Sequence, residues 1–119
     1  MGYFSNYSPQ ITENPRKTNA KNIERFIQEV CCVYLGADTE TEVLFDKYKK
    51  WCIYNNLEYT NSFNVFARSF RYYAYHQAML NGIVLHRVNY TAYKEGIGYI
   101  NKNGWAYYNL TCRIWKIII

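Results

Sequence analysis

The sequence lacks the residue groupings that most small enzymes and metalloproteins carry. It has no C-x-x-C pair and no Cys/His cluster at zinc spacing, which argues against a structural zinc site. Its four cysteines, Cys31, Cys32, Cys52 and Cys112, each lie among apolar residues. They are expected as small core hydrophobes in a reducing, intracellular setting. Neither histidine, His76 or His86, has a serine, cysteine or carboxylate at a suggestive spacing. With no nucleophile elbow and no paired-carboxylate motif, the chain is expected to be neither an enzyme nor a holder of any cofactor. No apolar run approaches the roughly 20 residues of a bilayer span. The N-terminus is polar, without the apolar core of a secretion signal. A cytoplasmic protein with no membrane partner is the expectation. No internal repeat is visible, and the sequons at Asn6, Asn89 and Asn109 read as chance matches in an Asn-rich chain.

What the chain does have is tyrosine and positive charge. Fourteen of its 119 residues are tyrosine, and Lys plus Arg outnumber Asp plus Glu by 14 to 9, giving a net charge of +5. One domain fits this length. Such a balance favours an anionic partner, or serves solubility alone. Tyrosine suits half-wet positions and can also stack on nucleic-acid bases.

Residues 1–20 are polar, carry Pro9, Pro15, Arg16 and Lys17, and show no period, so they are expected to form a flexible basic arm ahead of a domain over 21–119. Asn22 is placed to cap a first helix. Its apolar face is Ile23, Phe26, Ile27, Val30 and Cys31, and its end is expected near Gly36. Thr39 or Thr41 starts a second helix with Leu44, Phe45, Tyr48, Trp51, Cys52 and Asn55 on one face and Lys47, Lys49 and Lys50 away from it. Ser62 caps a third helix. Phe63, Phe66, Phe70 and Tyr73 form its inner stripe, and Asn64, Arg68, Arg71 and Tyr75 a second, exposed stripe; Asn81-Gly82 is the expected end. Beyond Gly82 the pattern alternates. "IVLHRVNY" reads as a strand, "TAYKEGIG" as a turn-rich stretch, and Asn103-Gly104 as the strongest hairpin signal before a last strand that Ile117–Ile119 would close. Three helices followed by a β-hairpin wing is the winged form of the helix-turn-helix fold, in the α+β class.

Three segments carry a family resemblance. Phe26, Glu29 and Cys31 fit F-x-x-E-x-C. Leu44, Phe45, Tyr48, Trp51, Cys52 and Asn55 fit L-[YF]-x-x-Y-x-x-W-C-x-x-N. Ser62, Phe66, Arg68 and Phe70 fit S-x-x-x-F-x-R-x-[LF]. Over residues 22 to about 112 the chain resembles the C-terminal winged-helix domain of phage and plasmid (poxvirus-type) primase–helicases, with Y-x-x-W-C its most specific part. No G-x-x-x-x-G-K-[ST] loop is present, so the resemblance implies the winged helix without the motor. The twelve residues from Arg71 to Gly82 also make the third helix longer than in that family.

The resemblance implies a DNA-binding protein of a mobile genetic element, a replication accessory on single-stranded or forked DNA, with a replicative helicase or primase as a further partner. The expected contacts are Arg68 and Arg71 at the centre, with Asn64, Tyr72 and Tyr75 beside them. Lys47 and Lys50 would meet phosphates, and Arg87, Lys94 and Lys102 would reach the backbone from the hairpin, assisted by Tyr93 and Trp105. Two other readings stand beside it. One is a protein-interaction module or inhibitor docking on a nucleoprotein machine, for which a tyrosine-rich surface is suited. The other is a transcriptional regulator on duplex DNA.

Overall fold

A computed structural model describes residues 15–113. Helix α1 (Pro15–Glu29) is followed by strand β1 (Cys31–Glu40), helix α2 (Thr41–Tyr54), helix α3 (Phe63–Phe70) with a π-helical continuation (Arg71–His76), and strands β2 (Val84–Lys94) and β3 (Gly98–Cys112). The sheet is antiparallel in the order β1-β3-β2, so the last strand lies in the middle. The class is α+β, with three helices packed on a three-stranded sheet.

The core follows from helical spacing. Ile23, Phe26, Ile27 and Val30 of α1 meet Leu44, Phe45, Tyr48, Trp51 and Cys52 of α2, with Phe66 and Phe70 of α3 between them and the sheet residues Tyr107 and Leu110. Their rings form a continuous path. Phe26 meets Tyr48 edge-on at 5.4 Å, Tyr48 meets Phe66 at 5.0 Å, Phe66 meets Phe70 at 5.6 Å, and Phe70 meets Tyr107 at 5.4 Å. Such pairs add to the area they bury. Tyr48, Trp51 and Cys52, the centre of the Y-x-x-W-C motif, are buried at 0%, 1% and 0% exposure, so that motif is a packing motif. Tyr48 brings a cost with it, because its hydroxyl is buried with only the Cys52 thiol, a weak partner, beside it.

Several sequence expectations are corrected. Asn22 is not a cap: it lies inside α1, and its side-chain amide donates to the Glu58 carbonyl at 2.7 Å. Residues 15–20 of the expected arm are helical, while 1–14 lie outside the described residues, as do Ile117–Ile119. The first helix stops at Glu29 rather than near Gly36, and Cys31–Glu40 is a third strand. The apolar period of α1 runs on through Val30 and Cys31, which hides the change. What fixes the strand is non-local. Cys31, Cys32 and Val33 pair with Cys112, Thr111 and Leu110, and Asp38–Glu40 pair with Tyr108–Ala106. Between these runs Tyr34–Ala37 bulge out opposite Asn109. Asn109, at φ +66°, accepts from Gly36 N–H at 3.1 Å and donates to the Gly82 carbonyl at 3.0 Å, tying the bulge to the start of β2. The second helix does start at Thr41, as one of the two expected starts, but Glu40 is its N-cap residue and neither threonine side chain caps it. Thr39 Oγ1 donates to the Leu110 carbonyl and Thr41 Oγ1 to the Trp105 carbonyl, at 2.5 and 2.8 Å, so both bind the sheet.

Ser62 does cap α3, accepting from Val65 N–H at 3.2 Å. The helix does not reach Asn81-Gly82. After Phe70 it widens into π-helical turns, with Gln77 N–H bonded to the Tyr72 carbonyl at 2.7 Å, and helical structure ends at His76. Asn103-Gly104 is not the hairpin turn either. Both residues lie within β3, opposite Asn89 and Val88. The turn is Glu95–Ile97, and Gly96 and Gly98 take φ +84° and +97° there. Two flexible glycines in "EGIG" outcompete one Asn-Gly because they allow a hairpin with eleven paired positions rather than a short one.

Candidate nucleic-acid interface

The Phe63, Ala67 and Arg71 side of the third helix faces a cleft closed by the start of α2 and by β3. Phe63 and Ala67 are four apart on α3, and Arg71, the first residue of the π-helical continuation, lines the same cleft. Trp105 stands on the opposite wall, 40% exposed. Its backbone carbonyl is held by Thr41, which fixes the strand against α2. Two guanidiniums converge on its ring: Arg71 at 5.1 Å from the ring centre, and Arg87, its cross-strand partner on β2, at 5.2 Å. A cation over an indole face is attracted by the ring quadrupole, by about 0.5–1 kcal/mol at an exposed site. A guanidinium over a ring keeps its N–H donors for other partners, and one from Arg71 goes to the Tyr107 hydroxyl. Below the tryptophan, burial pushes the Tyr107 phenol up to about 12, with Arg71 beside it pulling the other way.

The expected site residues divide into those gathered here and those elsewhere. Arg71, Arg87 and Trp105 come together, and Tyr75 lies close enough to act electrostatically on Tyr107. Arg68 and Asn64 are exposed on α3, whereas Arg71 is half-buried against the tryptophan, so the single exposed stripe expected for the helix is divided. Tyr72 is exposed and packs edge-on against Tyr73 at 5.0 Å. Lys94 flanks the hairpin turn, next to Tyr93 and Tyr99, which are 66% and 77% exposed and meet edge-on at 5.3 Å.

The lysines are less disengaged than their helical positions implied. Lys50 pairs with Asp46 at 3.0 Å, and Lys49 lies over the Phe45 ring at 4.5 Å. Lys47 is exposed, and its charge acts on the Cys112 thiol at the far end of β3. Lys102 reaches Glu42 at 3.3 Å. Glu40 and Glu42 also line the cleft, so the cation cluster faces an acidic lip.

The sequence had placed Trp105 only as a helper, and its central position comes from the register of β2 on β3. A second cluster had no sequence signal. His86 Nε2 lies 2.8 Å from Asp38 Oδ1, and its ring stacks on Tyr108 at 3.7 Å, joining both edge strands across β3. Among the described residues no group of three or more His, Cys, Asp or Glu side chains is placed to hold a metal ion, and no helix is long and apolar enough to cross a membrane.

Compared with known proteins, the chain matches no family model and no curated sequence.

Proposed function

We propose that the protein is a nucleic-acid-binding winged helix. The convergence of Arg71 and Arg87 on the exposed Trp105 ring carries the reading, because it sets two guanidiniums and an aromatic ring between the third helix and the hairpin. The element order, helix–strand–helix–helix–hairpin with the last strand central, supports the winged-helix assignment. In that arrangement α3 lies against the strand and β2–β3 form the wing. Arg71 and Arg87 hold phosphates, the exposed part of the Trp105 ring meets a base or sugar, and Arg68 and Lys94 extend the contact along the helix and toward the wing tip. The exposed aromatic rings favour single-stranded or forked DNA over intact duplex, since a stacked base must be unpaired to reach them. A replication accessory of a phage or plasmid element is the role that fits this chemistry together with the Y-x-x-W-C resemblance.

Fluorescence anisotropy with labelled single-stranded, forked and duplex DNA tests the reading. Salt-dependent binding that ranks unpaired DNA first supports it. Binding that prefers duplex turns it toward a regulator, and no binding at low salt would overturn it and leave a protein-docking module.

A further inference from the structure

Cys31 opens β1 and Cys112 closes β3, and the antiparallel register sets them directly opposite each other. The next backbone bond outward runs from Arg113 N–H to the Val30 carbonyl at 2.6 Å. Residues 30 and 113 are therefore bonded partners, which makes Cys31 and Cys112 a pair between bonded positions. At such positions the two Cα atoms stand about 4.5 Å apart and the side chains lean toward each other. That lies within the separation a disulfide spans, at its short end, so the bridge can close without moving the strands apart. Both cysteines are free thiols, Cys31 buried at 2% exposure and Cys112 half-buried.

We propose that Cys31 and Cys112 are a reversible oxidation site that closes to a cross-strand disulfide when the protein meets a peroxide. The two sulfurs have distinct roles. The thiol of Cys31 donates to Cys112 and holds it below the usual thiol range, with burial opposing and Lys47 adding to the effect. Cys31 is raised by the same contact and by burial. Cys112 therefore supplies the thiolate and is the more accessible of the two. Its sulfur attacks one peroxide oxygen, the O–O bond breaks, and the departing hydroxide takes up the proton the thiol released, leaving water and a sulfenic acid. Cys31 then loses its proton and attacks the Cys112 sulfur. The S–O bond breaks and hydroxide leaves with that proton as a second water. Two thiols are oxidised by two electrons, and one peroxide is reduced to two waters. Cys32 faces Thr111 on the neighbouring register position, and Cys52 is buried in α2, so neither competes for Cys112.

The test is independent of the nucleic-acid reading. The full chain is treated with hydrogen peroxide, denatured, alkylated and weighed. Two of its four cysteines should become resistant to alkylation, and dithiothreitol should restore all four. In a Cys32→Ser chain, tryptic fragments 26–47 and 103–113 should be found joined. Cys31→Ser should instead leave a dimedone-reactive sulfenic acid on Cys112. Four alkylatable cysteines after peroxide, a link through Cys52, or a link only between two chains would each overturn the proposal.

Discussion

The proposed binding to DNA predicts a salt dependence that separates the charge of the Arg71–Trp105–Arg87 cluster from its ring. In the proposed complex four cations around the cleft and hairpin meet the backbone: Arg68 and Arg71 from the third helix, and Arg87 and Lys94 from the hairpin. Each contact with single-stranded DNA contributes about −0.7 to the slope of log K against log salt, so four give about −2.8. Raising salt from about 50 to about 200 mM should then weaken binding roughly 50-fold. Replacing Arg71 and Arg87 by glutamine removes two contacts, brings the slope to about −1.4, and reduces that loss to about 7-fold. Trp105→Ala removes no charge. It should lower affinity at every salt concentration, by about 1–3 kcal/mol if a base stacks on the ring, and leave the slope near that of the parent. Anisotropy titrations at four salt concentrations measure all three chains. An unchanged slope in the double arginine variant would refute the assignment of those two residues, and parent-like affinity for Trp105→Ala would refute the role of the ring.

Three further outcomes concern the fold. Tyr48→Phe should leave stability unchanged or raise it by about 1 kcal/mol in urea unfolding, because the lost hydroxyl is buried with only the weak Cys52 thiol beside it; a loss of more than about 1 kcal/mol would show that the hydroxyl is well bonded. Burial pushes the Cys52 thiol up from 9.0 to about 11 and the Tyr107 phenol from 10.0 to about 12, so the unfolded chain releases both protons first. Their contribution is complete below about pH 9 and is lost as pH rises to about 12, so Tm should fall steadily above pH 9, and a Tm flat to pH 11 would contradict it. Gly98→Ala should cost about 1–2 kcal/mol through its φ of +97° alone, since the added methyl meets open space; a neutral substitution would mean the turn relaxes to another shape.

The helical core was open to reading from sequence because its signal is local. The apolar positions of α1, α2 and α3 recur every three or four residues, and each of Ile23, Phe26, Leu44, Tyr48, Trp51, Phe66 and Phe70 is buried as that spacing requires. The Ser62 cap is local too. Strand β1 was hidden because its pairing partners on β3 are far away in the chain, Cys31 opposite Cys112 and Glu40 opposite Ala106, and its alternation is broken by the Tyr34–Ala37 bulge. Local preference also misplaced the hairpin turn. Asn103-Gly104 is a good turn pair in isolation, but the register that aligns Val84 with Tyr108 puts it in mid-strand.

The site was half legible for the same physical reason. Arginines on the third helix are visible in the sequence, but which of them is held in place is decided by the sheet. Arg71 is distinguished from Arg68 by Trp105, thirty-four residues on, and Trp105 is brought there by its pairing with Arg87 and by the Thr41 hydroxyl on its carbonyl. The change to π-helical turns after Phe70 adds to this, since beyond that point the three-and-four spacing no longer tells which side chains share a face. A stripe drawn from spacing therefore joined Arg68 and Arg71, which the fold sets apart, and left out the tryptophan that organises the cluster. The same dependence on register produced the Cys31–Cys112 pair from two cysteines that, along the chain, show no relation to each other.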